Sequence, residues 1–129
     1  MGGVRTIKGS DLARAIADSL KEYTEEVSQA IREEVDDTAN DIKTGIVAGA
    51  PVKSGKYKKG WKITKRDNKG VTSRIIHNAK VPGLPHLLEH GHAKRGGGRV
   101  AGHPHIAPAA EPRLKQMVEN IKRILENGG

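Results

Sequence analysis

The chain has 129 residues, is 35% hydrophobic but only 2% aromatic, and carries a formal net charge of +8. That length suits one domain with a core of modest size, and with no Phe the core must be aliphatic, packed around Trp61, Tyr23 and Tyr57. The absence of cysteine excludes disulfides and thiolate metal sites, and no apolar run approaches the roughly 20 residues that span a bilayer. A signal-peptide apolar region is not seen either. Met1-Gly2-Gly3-Val4-Arg5-Thr6 fits the loose myristoylation pattern, but residues 1–9 read more simply as a flexible end. So lean a core in so charged a chain implies that partners or further copies supply part of the stability.

Charge is segregated along the chain. Residues 1–50 carry six basic and ten acidic residues, residues 51–105 thirteen basic residues against Asp67 and Glu89 alone, and residues 106–129 four basic and three acidic. A molecule with an acidic first part and a basic middle can stack on itself head-to-side or turn one surface toward DNA.

Ser10 or Asp11 can cap a helix. Beyond them Leu12, Ile16, Leu20, Tyr23, Val27, Ile31, Val35, Ala39, Ile42 and Ile46 follow one another at steps of three and four, which keeps them on one helical face. The spacing predicts a long amphipathic helix over 11–48, with a possible bend near Asp36–Asn40, ended by Gly49-Ala50-Pro51. Its narrow apolar stripe, Leu20, Tyr23, Val27, Ile31 and Val35, needs a cover, and a neighbouring subunit is the expected one. After a turn at Ser54-Gly55, Lys56–Lys65 reads as a strand with Tyr57, Lys59, Trp61, Ile63 and Lys65 on one face. Arg66–Gly70 is a hairpin connection, and Val71–Asn78 is the return strand. Pro82-Gly83-Leu84-Pro85 breaks the chain, and His86–His90 is either one helical turn or a short extended piece. Residues 91–102 read as a flexible loop rich in Gly and Arg. His103–Ile106 is extended, and a second amphipathic helix begins after Pro108, carrying Leu114, Met117, Val118, Ile121, Ile124 and Leu125. The fold class is α+β: a long N-terminal helix, a small antiparallel sheet made of a hairpin and short strands, and a C-terminal helix, in one domain over 1–129.

Little in the chain points to catalysis. His86-Leu87-Leu88-Glu89-His90 fits the inverted zinc-protease pattern, which on a helix would place both histidines on one face with Glu89 as base. Proline and glycine bracket the segment, however, and no third ligand is marked, although His103 or His105 offers one. No serine lies in a nucleophile elbow, and the paired carboxylates of the first helix read as a solvated face. Gly96–Gly98 lacks the Gly-Lys-Ser/Thr ending of a phosphate loop. The expectation is a protein with no catalytic site, no metal and no cofactor. The basic middle has more to offer. Lys53, Lys56, Lys58, Lys59, Lys62, Lys65 and Arg66 gather around the hairpin, and Lys94, Arg95, Gly97 and Arg99 mark a candidate docking loop. Such lysines either bind phosphate without reading sequence or meet an acidic surface. Tyr57 and Trp61 lie among them, either as core or as stacking platforms.

Three segments carry a resemblance: Ala50-Pro51-Val52-Lys53-Ser54-Gly55, Leu88-Glu89-His90-Gly91-His92, and His103-Pro104-His105-Ile106-Ala107-Pro108-Ala109. In this order, with a long helix before them and a hairpin between the first two, they resemble the neck or tail-completion proteins of long-tailed bacteriophages over roughly residues 11–125. His90 and His92 replace the usual aromatic and Thr, and prolines precede Leu87 where a tyrosine-containing segment is common. The resemblance implies a homo-oligomeric ring subunit at the head–tail junction of the virion, made in the bacterial cytoplasm. It would contact the head-closure or connector protein and the tail terminator, help join tail to capsid, and keep the DNA channel continuous, with non-specific DNA contact but no membrane. The alternative is a non-sequence-specific nucleic-acid-binding protein that uses the basic hairpin of residues 53–69.

Overall fold

The computed structural model describes residues 24–51, 55–68 and 71–128. Helix α1 spans Glu25–Gly49. Thr24 caps it by accepting the Val27 N–H, and Glu25 and Glu26 place negative charge in the first turn, where the helix dipole favours it. The helix continues unbroken through Asp36–Asn40. The portion expected upstream of residue 24, with Leu20 and Tyr23, lies outside the described residues.

A second helix, α2, covers Gly55–Lys59, and strand β1 covers Trp61–Asn68. This corrects the strand expected over Lys56–Lys65. Tyr57 and Trp61 lie four residues apart, a spacing that fits a helical turn as well as a strand face, and the chain turns helically before it extends. Strand β1 pairs antiparallel with β2, Val71–Asn78, in a register that sets Trp61 opposite Asn78, Ile63 opposite Ile76 and Lys65 opposite Arg74. Helix α3 spans Leu84–His90 with Pro85 in its first turn.

The segment read as a loop over 91–102 forms a second, smaller hairpin. Strand β3, Gly91–Ala93, pairs with β4, Arg99–Ala101. Its tip closes through Lys94 N–H to the Gly98 carbonyl and Gly97 N–H to the Lys94 carbonyl. The positive φ values of Gly96, Gly97 and Gly98, 87°, 113° and 80°, are what that tip demands of its backbone. Helix α4, Ala107–Asn127, opens one residue before Pro108 and ends at left-handed Gly128.

Helices α1 and α4 run antiparallel and carry the core between them. At one end Val27, Ile31 and Ile121 are buried, with Val35, Met117, Ile124 and Leu125 packed against them. At the other, Ile42, Ile46 and Ala109 join Tyr57 and Trp61, with Ile76, Val81, Leu84 and Leu88 closing over them. Burial of each such side chain is worth about 1.5–3 kcal/mol. Val27 and Ile31, expected to wait for a neighbouring subunit, are thus covered by the chain's own α4. Helix α4, 21 residues against the 25 of α1, is long enough to supply that cover. Trp61 is core, not a stacking platform.

Candidate functional site

The most constrained place in the molecule is the start of α4. Helix N-termini leave backbone N–H groups without intrahelical acceptors, and no side chain from Ile106, the residue before the helix, caps this one. Glu89, reaching across from the end of α3, supplies the acceptors. Its Oε1 accepts from the N–H of His105 at 2.8 Å and of Ile106 at 2.9 Å, and its Oε2 accepts from Ala107 at 2.9 Å. The imidazole of His105 is fully enclosed: its Nδ1 lies 3.1 Å from Glu89 Oε1 and 2.9 Å from the His103 carbonyl, and its Nε2 lies 2.6 Å from the Tyr57 hydroxyl. With two acceptors facing Nδ1, that nitrogen carries a proton. Burial would raise the Glu89 pKa, but the N–H groups of Ala107, His105 and Ile106 outweigh it and hold the carboxyl below its ordinary value. Burial pushes the Tyr57 hydroxyl up.

Backbone contacts complete this clasp. His103 donates its N–H to the Leu88 carbonyl at 2.7 Å. Gly91 has φ 77°, and a Cβ built on it would meet the Val100 carbonyl oxygen at 2.3 Å; one on Gly102 would meet the Glu89 carbonyl oxygen at 2.6 Å. Glycine on both sides is what lets the two chains approach. The Leu-Glu-x-Gly and His-Pro-x-Ile segments singled out in the sequence are therefore two halves of one joint, and Tyr57 ties α2 to it.

The clasp also engages the carboxylate of the zinc-like pattern. His86 and His90 are exposed, with ring centroids 4.9 Å apart, but the carboxylate between them points inward and is committed to the start of α4. Among the described residues, no three side chains of metal-ligating type converge.

The basic residues divide by position. Lys53 lies outside the described residues. Lys56 and Lys59 are exposed on α2, and Lys58 is half-buried. Arg74, which sequence reasoning did not single out, is the cation that fastens the hairpin to α1. Its guanidinium donates to both carboxylate oxygens of Asp36, to Asp67 at 2.8 Å and to the Ser73 carbonyl. Lys65 Nζ stands 3.6 Å from the same Asp36. The hydrogen bond from Arg74 holds the Asp36 carboxyl below its ordinary value, and that bond raises the Arg74 pKa in turn. The signal for Arg74 was available in its register: it faces the same side of the hairpin as buried Trp61 and Asn78, where an unpaired charge is not tolerated.

Two further surfaces are exposed. Lys94, Arg95, Gly97 and Arg99 lie on the tip and flank of the β3–β4 ribbon, with Arg99 donating to the His90 carbonyl at 2.9 Å. On α1, Glu26, Glu33, Asp37 and Asp41 recur at steps of seven and four, form one exposed acidic stripe, and make no ion pair among the described residues.

No helix among the described residues is long and apolar enough to cross a membrane. Comparison with curated proteins and with solved structures gave no significant match. Residues 14–91 match a family described as "Bacteriophage HK97-gp10, putative tail-component". The match takes in α1, both strands of the β1–β2 hairpin and Glu89 itself, while the His-Pro segment that Glu89 holds lies beyond it, after the β3–β4 ribbon. With more than half its length matched and the α+β architecture described above, the chain belongs to the HK97-gp10-like family of bacteriophage tail components.

Proposed function

We propose that the chain is a neck or tail-completion subunit, acting in a homo-oligomeric ring at the head–tail junction between the head-closure or connector protein and the tail terminator. There it helps join tail to capsid and keeps the DNA channel continuous. The observation that carries this reading is the pair of unlike surfaces on one subunit. Among the described residues the acidic stripe of Glu26, Glu33, Asp37 and Asp41 makes no ion pair, and neither do the exposed cations of α2 and of the β3–β4 ribbon, Lys56, Lys59, Lys94 and Arg95. An acidic face on one copy and a basic face on the next make a heterologous contact, which closes into a ring when the rotation between copies permits. The apolar stripe of α1 plays a smaller part in this reading than expected, because Val27 and Ile31 are used inside the subunit.

Native mass spectrometry of the tag-free protein at low and moderate salt tests it, alone and with the head or tail partner added. A ring or oligomer series that weakens as salt rises, and that disappears in an Asp37→Lys, Asp41→Lys double variant, is the expected result. A chain that stays monomeric with either partner, or oligomers indifferent to both salt and charge reversal, would remove the charge-paired interface.

A further inference from the structure

The two faces of the β1–β2 ribbon use their cations differently. Alternation and register put Trp61, Ile63, Lys65 and Asp67 on one face with Asn78, Ile76, Arg74 and Thr72. Here Arg74 and Lys65 are matched by Asp36 and Asp67. The other face presents Lys62, Thr64 and Arg66 from β1, and Ser73, Ile75 and His77 from β2. It carries no acidic residue. Lys62 and Arg66 are exposed and make no ion pair among the described residues, and Thr64 Oγ1 lies 2.8 Å from His77 Nε2.

Uncompensated cations interleaved with hydroxyl and imidazole groups suit a polyanion. Three features narrow its kind. Among the described residues Tyr57 and Trp61, the only rings near the lysines apart from histidines, are both buried, so these residues offer no aromatic platform to unstacked bases, as a single-strand binder would. A protein interface would present aromatic and apolar residues at its centre, whereas among the described side chains of this face only Ile75, 40% exposed, is apolar; interfaces with DNA are the more polar and more positive kind. A two-stranded ribbon also has the width that the major groove of duplex DNA admits. We propose that the outer face of the β1–β2 ribbon, through Lys62, Arg66, Thr64, Ser73 and His77, binds the phosphate backbone of duplex DNA without reading its sequence.

The site does not depend on ring formation, and one set of variants separates the two ideas. Fluorescence anisotropy of a labelled mixed-sequence duplex with the full chain, across a salt series, reads the affinity. The logarithm of the affinity should fall against that of salt with a slope of about −0.9 for each phosphate contacted. The Lys62→Glu, Arg66→Glu double variant should bind the duplex at least about tenfold more weakly with a shallower slope. Lys65→Gln, which alters the inner face, should change the affinity little, and circular dichroism should show all three chains equally folded. A single strand of the same sequence should bind no more tightly than the duplex. Unchanged duplex affinity in the double variant would overturn the assignment. So would tighter binding of the single strand, or a double variant that keeps its DNA affinity and loses self-association, which would make this face a subunit contact. Loss of assembly in the Asp37→Lys, Asp41→Lys variant with DNA affinity intact would leave both proposals standing on separate surfaces.

Discussion

The two ends of the α1–α4 pair are held by different chemistry. At the end near Val27, Ile31 and Ile121, the contact is aliphatic, and its strength follows the volume and area buried. At the end near Ala109, aliphatic packing is joined by a buried carboxylate that answers three backbone N–H groups and touches an enclosed imidazole. Apolar contacts weaken in proportion to what is removed. A polar joint fails abruptly, because each donor left without an acceptor costs its full desolvation. The position of α4 is thus adjustable at one end and fixed at the other, and the fixed end is the one to which the β3–β4 ribbon is attached.

The largest effect should come from Glu89→Ala. It leaves the His105, Ile106 and Ala107 N–H groups without their acceptor, and the expected loss is about 3–5 kcal/mol of unfolding free energy, read by urea denaturation. A loss under about 1 kcal/mol would mean that water replaces the carboxylate, and the contrast between the two ends would collapse. At the aliphatic end, Ile31→Ala should cost about 2–5 kcal/mol and Ile31→Val about 0.5–1.5 kcal/mol, a graded series that a polar joint would not show. The smallest effect is the response to acid. The Glu89 and Asp36 carboxyls have folded pKa values below their ordinary 4.5 and 3.8. Their contribution is therefore fully present well above those ordinary values and is lost as pH falls toward and through the lower folded ones. Stability measured from neutral pH down to strong acid should drop in that window, and the drop should shrink in Glu89→Gln. An equal drop in that variant would assign the acid sensitivity elsewhere.

How much of this was legible beforehand depends on whether a feature is periodic. The face of α1 from Val27 to Ile46, the return strand Val71–Asn78 and the α4 stripe all repeat, and the structure forms all three elements, although Leu114 of the α4 stripe is 41% exposed. Short elements left no such trace. Three-residue strands are too brief to alternate visibly, so β3 and β4 read as loop, and Tyr57 with Trp61 fit two periods at once. The clasp was hidden because its members are distant: Glu89 lies 16 to 18 residues from the N–H groups it answers, and Tyr57 lies 48 from His105. One clue was present. Glu89 is one of only two acidic residues between positions 51 and 105, and a solitary carboxylate beside Leu87 and Leu88 is better explained by a buried task than by a solvated face.

The antiparallel pairing of α1 with α4 also sets an order of events during synthesis. Ile31 finds its partner Ile121 only after some 90 further residues have been made, which at ribosomal speeds of about 5–20 residues per second is a wait of roughly 5–18 s. Throughout that interval Val27, Ile31 and Val35 are uncovered on the nascent chain. The chain is therefore most open to capture by chaperones before α4 emerges. Folding speed, limited by so distant a contact, sets how long those side chains stay exposed to water.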